Sequence, residues 1–371
     1  MVTAYEVLFM AGFLTLGFYL AWIIWLIGQW RRPNAVVSRP PGVESLSTVV
    51  IAARNESAGL PGLMNCLATQ TFNVPVVLVD DHSTDDTAQL IKSWPLVHYI
   101  SLPPHQQGKK AALSAAIAAA ETPFILSTDA DVILSPGWSL LLTERLAGGA
   151  QAVTGPLLIP EGQGLLHRLQ QWDLLSFVGI TAAGLKSGLY VLANGANIGF
   201  SKQAFQETGG YSAHQHFLGG DDVFTVAAIA RRYPGRTVYL QDPEASVFTR
   251  PQLSWRALFM QRKRWGAKMS AMAQPWLWVL VSTILATQLF WIIFFLTAWI
   301  KPVFWIYFML YSALKLSFEY RYLSELARFA RLSLRRWDLL WLSPVHGLFL
   351  WITALVAVWP GGYHWKGRRF S

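Results

Sequence analysis

Three acidic pairs, Asp80-Asp81, Asp129-Ala130-Asp131 and Asp221-Asp222, precede a basic block, Gln261-Arg262-Lys263-Arg264-Trp265. Carboxylates in such pairs can hold a hard cation, and Arg and Lys beside them suit a ligand rich in phosphate. Asp129-Ala130-Asp131 comes directly after the apolar run Phe124-Ile125-Leu126-Ser127. On an extended chain the alternation puts both carboxylates on one side, where they can hold Mg2+ or Mn2+ against a diphosphate. The same residues also fit a capped turn after a strand. Asp80-Asp81 ends a second apolar run, Val76-Val77-Leu78-Val79. A carboxylate there can accept from a base N–H or a ribose hydroxyl, or cap the next helix, although Ser83, Thr84 and Asp85 already offer caps. Asp221-Asp222 follows Gly219-Gly220 at the head of a helical run, Val223 to Ala230. In that first turn a carboxylate is a cap favoured by the helix dipole, or a base taking a proton from an attacking hydroxyl.

Gln261, Arg264 and Trp265 sit at i, i+3 and i+4 and share one helix face, with Lys268 a turn further on. An amide, cations and an aromatic platform together suit a pyrophosphate and a ring-shaped acceptor. The same stretch also reads as an amphipathic helix on a membrane surface, with Leu258 and Phe259 dipping into lipid. Both readings hold together if the site lies at the bilayer.

The elements that must position these residues alternate. Thr48 to Ala53, Val76 to Val79, Val97 to Leu102 and Phe124 to Ser127 read as strands, with helices predicted to Thr69, to Trp94 and over Lys109 to Ala120. Strand, helix, strand at this pitch predicts an α/β fold with a parallel sheet, whose ligands sit at the carboxyl ends of the strands. There is no Walker-type loop and no internal repeat. From Gln151 to Thr249 the pattern is less regular, and Gly195 and Asn197 interrupt a strand-like run from Leu189 to Phe200.

The 371 residues are 53% hydrophobic and only 14% charged, and the 18 Trp and 21 Phe gather towards the two ends, as membrane-interface belts would. The formal charge of +9 does not point to nucleic acid, because its residues cluster beside apolar segments, where anionic headgroups and a substrate phosphate are better partners. The lone Cys66 excludes an internal disulfide and a cysteine metal cluster. Val7 to Ile27 is long enough to cross a bilayer and lacks the basic start and cleavage site of a signal peptide. Arg31 and Arg32 behind it place the next domain in the cytoplasm. Pro275 to Ile300 is a second span. Val303 to Phe318, interrupted by Lys315, is expected to return, followed by a basic linker holding Arg321, Arg328, Arg331, Arg335 and Arg336. Leu339 to Trp359 is the last candidate, for three to four crossings, with the basic tail Trp365-Lys366-Gly367-Arg368-Arg369 arguing for a cytoplasmic C-terminus. The expected domains are a transmembrane helix over 1–30, a cytoplasmic domain over 45–272 and a membrane region over 275–371.

The order of these pieces resembles the membrane-bound family 2 glycosyltransferases, closest in layout to ceramide glucosyltransferase-like members. The matching pieces are Ala53-Arg54-Asn55-Glu56, Asp80-Asp81, Lys109 in Lys-Lys-Ala-Ala-Leu, Asp129-Ala130-Asp131, Gly209-Gly210-Tyr211, Asp221-Asp222 and Gln261-x-x-Arg264-Trp265. The resemblance implies a GT-A, Rossmann-like fold and an inverting, metal-dependent transfer from a nucleotide sugar, usually a uridine diphosphate sugar. By the same resemblance Asp81 contacts the uridine, Asp129 and Asp131 hold metal and diphosphate, and Asp222 deprotonates the acceptor. Arg54, Glu56, Lys109, Asp221, Gln261, Arg264 and Trp265 are expected in the substrate site. The family usually has Glu-Asp where this chain has Asp221-Asp222, which removes whatever contact the longer acid makes. Few membrane helices and the missing gating segment after Trp265 favour one transfer to a membrane lipid over a processive polysaccharide synthase. A non-catalytic scaffold would be expected to lose acids from the set, and a transporter would need charges in the main spans. The expected location is the inner (plasma) membrane.

Overall fold

The computed structural model describes residues 3–33, 41–214, 222–270, 272, 274–358, 363–365 and 368–370. The chain divides into two compact units: Pro33–Pro160, Gly184–Pro251 and Gly361–Ser371 form one, and Met1–Arg32, Glu161–Ala183 and Gln252–Pro360 the other. In chain order the strands are β1 (Ser47–Ala53), β2 (Val76–Asp80), β3 (Val97–Ser101), β4 (Phe124–Asp129), β5 (Ile133–Leu134), β6 (Ala152–Thr154), β7 (Leu157–Leu158), β8 (Ile198–Ser201), β9 (Thr237–Tyr239), β10 (Val247–Phe248), β11 (Tyr363–Trp365) and β12 (Arg368–Phe370). The helices are α1 (Ala4–Arg31), α2 (Leu60–Ala68), α3 (Thr87–Lys92), α4 (Lys109–Ala119), α5 (Trp138–Ala147), α6 (Leu165–Ser187), α7 (Lys202–Glu207), α8 (Val223–Arg232), α9 (Trp255–Ser270), α10 (Pro275–Ala298), α11 (Phe304–Ala330) and α12 (Arg336–Val358).

The first unit is built on a seven-stranded sheet in the order β3-β2-β1-β4-β8-β6-β9. β3, β2, β1 and β4 run parallel, with a helix between every two that follow each other in the chain, as their buried Val, Ile and Leu runs predict. β8 runs antiparallel to both β4 and β6, so the sheet is mixed and not wholly parallel. No βαβ crossover fixes its direction, because the long helix α6 and short strands intervene. The small face of α4, Ala112 and Ala116 with Leu113 and Ile117, buries against Val50, Val77, Ile125 and Phe200. Each fully buried Leu or Ile there contributes about 1.5–3 kcal/mol. Register then sets the site. Ala53 lies opposite Asp80 and Ala52 opposite Asp129, so β2 and β4 end within one residue of each other on either side of β1. With strands about 4.8 Å apart, the two acidic positions share one sheet edge with about 10 Å between their backbones.

In the second unit, α1, α10 and α12 are long and apolar enough to cross a membrane. These helices mark the protein as membrane-associated. The expected short return over Val303 to Phe318 with a basic linker behind it is corrected: α11 runs unbroken for 27 residues, through Arg321 and Arg328. Arg is a good helix former and no Gly or Pro stands between Phe304 and Ala330, so nothing stops the helix until Arg331 turns left-handed at φ 56°. Lys315 does not interrupt it. Its Nζ lies 2.8 Å from Glu319 Oε1 and donates to Ser343 Oγ at 2.6 Å, while Tyr19 Oη donates to Glu319 at 2.7 Å. A buried ammonium persists only when paired and hydrogen-bonded in this way.

Candidate active site

The loops that leave β1 and β2 are latched together at the carboxyl edge of the sheet. Asn55 bonds across them to two neighbours: its N–H donates to Ser83 Oγ at 2.9 Å and Thr84 N–H donates to its Oδ1 at 2.8 Å. Glu56 N–H donates to Thr87 Oγ1 at 2.8 Å, and Ser57 N–H to Asp85 Oδ2 at 3.2 Å. Burial pushes the Asp85 carboxyl up, but bonds from Ser57 and Thr87 outweigh it and bring its pKa down to about 2. Ser83 and Thr84 are therefore latches between loops; the N-cap of α3 is Asp86, which makes no side-chain capping bond, and Asp85 accepts from Thr87 N–H at 3.1 Å. Asn55 and His82 both adopt positive φ, 52° and 56°, a conformation that gathers at functional loops. Within the acidic pair the roles part. Asp80 Oδ1 accepts from Ser83 N–H at 3.2 Å and holds the loop, whereas Asp81 stands beside Arg54, whose Nη1 donates to the Asp81 carbonyl at 2.8 Å and lies 4.0 Å from its Oδ1.

A second group forms at the ends of β4, α4 and α8. Lys109 opens α4 directly after Gly108, whose φ of +96° suits glycine. A cation in a first helical turn opposes the helix dipole. Here its Nζ donates to Asp129 Oδ1 at 2.8 Å, so a carboxylate at the strand end offsets that cost. Asp222 is the N-cap of α8: its Oδ1 accepts from Val223 N–H at 2.7 Å and its Oδ2 from Gly195 N–H at 2.9 Å. A Cβ on Gly195 would stand 3.4 Å from both Asp222 Oδ2 and Lys109 Nζ, so Asp129, Lys109 and Asp222 gather around one glycine. Asp131 is exposed, and the chain turns at Ala130–Asp131. The pleat argument for two carboxylates on one side is thereby corrected, since β4 stops at Asp129. Asp221 lies outside the described residues. Tyr211 of the Gly209-Gly210-Tyr211 piece is buried, edge-on to Phe205 at 4.9 Å.

The run from Leu189 to Phe200 becomes a strand only at its end because Asn197 pins the segment before it. Buried Asn197 accepts from Trp138 Nε1 at 2.9 Å and donates through Nδ2 to the Pro156 and Ala245 carbonyls at 2.8 and 2.9 Å. Thr128 Oγ1 donates to the Ala196 carbonyl at 2.8 Å, which ties the same segment to β4. Gly195 is held facing Asp222 in consequence. Asn197→Leu would leave one buried donor and two buried acceptors unpaired, at about 1–3 kcal/mol each. A loss of at least about 3 kcal/mol is expected, read as a lowered thermal midpoint of purified protein by tryptophan fluorescence. An unchanged midpoint would show that Asn197 pins nothing.

Gln261, Arg264 and Trp265 lie half-buried on α9, in the helical unit, as their spacing predicts. Leu258 is fully buried by protein and so does not face lipid, whereas Phe259 is half-buried and packs on Phe349 with ring centroids 5.7 Å apart. Arg262, which sequence reasoning passed over, is the buried member of the block and pairs with Asp173 of α6.

Among the described residues no three His, Cys, Asp or Glu side chains form a metal cluster. The donor set still fits a divalent cation that arrives with its ligand. Mg2+ and Mn2+ characteristically take one or two carboxylates plus substrate phosphates, and Asp129 already carries a cationic partner in Lys109 at 2.8 Å.

Residues 48–209 match the family model for glycosyl transferase family 2. Among solved structures, the mannosyltransferase PcManGT from Pyrobaculum calidifontis, in complex with GDP-Man and Mn2+, is 18% identical over 95% of this chain and 97% of its own, with a TM-score of 0.54. TarS from S. aureus, residues 1–349, is 16% identical over 66% of this chain and 70% of its own, with a TM-score of 0.41. No curated protein sequence matches the chain. The sheet topology and the first of these structures give a GT-A fold, and the family match supports a family 2 glycosyltransferase.

Proposed function

We propose that the protein is a membrane-bound, inverting family 2 glycosyltransferase that moves one sugar from a nucleotide sugar, a uridine diphosphate sugar first among candidates, to a hydroxyl of a membrane lipid at the cytoplasmic face. The observation that carries this reading is Asp222 facing the same glycine as the Lys109–Asp129 pair, at the carboxyl edge of the sheet. Two backbone N–H groups hold the Asp222 carboxylate in place. Asp222 takes the proton of the acceptor hydroxyl as that oxygen bonds to the sugar's anomeric carbon. The anomeric carbon's bond to the diphosphate breaks in the same displacement, and the nucleoside diphosphate leaves with the electron pair. Lys109 offsets charge on the leaving diphosphate. Asp81 and Arg54 take the nucleoside, with Glu56 beside them, and Asp221, Gln261, Arg264 and Trp265 serve the acceptor and diphosphate by family resemblance. Asp129 and Asp131 would hold Mg2+ or Mn2+, which when bound neutralises the leaving group. The catalytic domain over 45–272 is assigned to the cytoplasm of an inner membrane on the strength of Arg31 and Arg32.

The test is purified full-length protein in nanodiscs of mixed phospholipids, with Mg2+ or Mn2+ and a panel of radiolabelled uridine and guanosine diphosphate sugars. Label is expected in the chloroform-soluble lipid fraction. Label only in insoluble polymer would replace single transfer with processive synthesis. No transfer from any donor would remove the enzymatic reading.

A further inference from the structure

Asp173, Arg262 and His346 form a polar cluster that the reaction above does not use. It lies wholly within the helical unit, with one residue each on α6, α9 and α12. Arg262 Nη2 donates to Asp173 Oδ2, and His346 Nε2 stands 3.0 Å from Asp173 Oδ1. The Asp173 and Arg262 side chains are only 2% and 6% exposed, whereas the His346 ring is 27% exposed. Burial raises the Asp173 pKa, but the Arg262 guanidinium and the bond from His346 outweigh it, so Asp173 stays a carboxylate. A carboxylate can only accept. In the neutral ring Nε2 therefore carries the proton, and Nδ1 is left as an acceptor.

An ion-pair lock between helices would need only Asp173 and Arg262. Two observations are surplus to a lock. Arg262 Nε and Nη1 are buried with no hydrogen-bond partner among the described residues, and the accessible imidazole is held in a fixed orientation. Aromatic rings frame the group: Arg262 lies 4.2 Å over the Trp265 ring, and His346 stacks on Phe349 at 6.2 Å. His346 also sits in a helix apolar enough to cross a membrane, where a polar side chain is expensive and functional by default.

We propose that this cluster binds the hydroxyl-bearing headgroup of the lipid acceptor, with His346 Nδ1 accepting from a headgroup hydroxyl and Asp173 and Arg262 as positioning residues that fix the ring. An alcohol matches the ring, because it can donate to Nδ1; a dianionic phosphate has no proton to give it. The inference rests on the transfer to lipid proposed above and names where the acceptor is held.

The experiment uses the full-length enzyme in nanodiscs with its labelled product assay. Glutamine can imitate Nε2 and keep the bond to Asp173, while asparagine imitates Nδ1. His346→Gln is expected to raise the KM for the lipid at least about tenfold, the effect of one lost hydrogen bond, with the KM for the nucleotide sugar unchanged. His346→Asn is expected to raise it less. An unchanged lipid KM in His346→Gln overturns the proposal, as does a parallel change in both KM values or a glutamine variant that does not fold, either of which leaves only a structural lock. If the unaltered enzyme labels no lipid, the proposed function itself has failed, and that result is separate from any behaviour of the variants.

Discussion

Asp222→Asn is expected to lower sugar transfer by about 10²–10⁴-fold, the range removed with a general base, while nucleotide binding survives. The substitution is nearly isosteric. Asparagine keeps one oxygen, so one of the two backbone donors now held by Asp222, Val223 N–H or Gly195 N–H, retains its partner. The other faces an amide N–H, at about 1 kcal/mol, too little to unfold a domain. A fall in rate at intact affinity for the nucleoside diphosphate, read by initial rates and equilibrium binding, therefore isolates proton transfer. Near-normal turnover would remove Asp222 as the base.

Chelation should be comparably severe. EDTA is expected to lower the rate about a thousandfold, equivalent to about 4 kcal/mol of lost charge stabilisation on the leaving diphosphate, and added Mn2+ or Mg2+ should restore it. Asp129→Asn should show the same loss without restoration by metal. That variant also replaces the charged partner of Lys109 with a neutral amide, beside the same glycine that Asp222 faces. Full activity in EDTA would contradict the assignment of Asp129 and Asp131 to a metal, whatever the variant does.

The parallel half of the sheet was legible because Val49 to Ile51, Val76 to Val79 and Phe124 to Leu126 are uninterrupted apolar runs between helical patterns, and the positions of Asp81 and Asp129 follow from the ends of the last two. The short strands and the antiparallel one were not, since β5, β7 and β10 are two residues long and β8 takes its direction from partners far along the chain. Asn197 looked like a break in a strand; its three bonds reach Trp138, Pro156 and Ala245, and no local pattern encodes such distant partners. The Asp173, Arg262 and His346 cluster was invisible for the same reason, its members lying 89 and 173 positions apart. The local hints were an Asp within a largely apolar helix, which periodicity alone reads as a surface position, and a His inside the last apolar run. The length of α11 is hidden because its Arg residues resemble a basic linker, although Lys315 and Glu319 are a turn apart and neutralise each other.

The chain leaves the sheet unit after Pro160, spends Glu161–Ala183 among the helices, returns, and departs again at Gln252. No single cut can part the two halves. A soluble fragment trimmed of its C-terminal helices would still carry Leu169, Trp172, Leu175 and Val178, now stripped of the neighbours that cover them, and would be prone to clump. Recombination in nature faces the same obstacle: the sugar-handling scaffold and its greasy anchor are interleaved and must be inherited together.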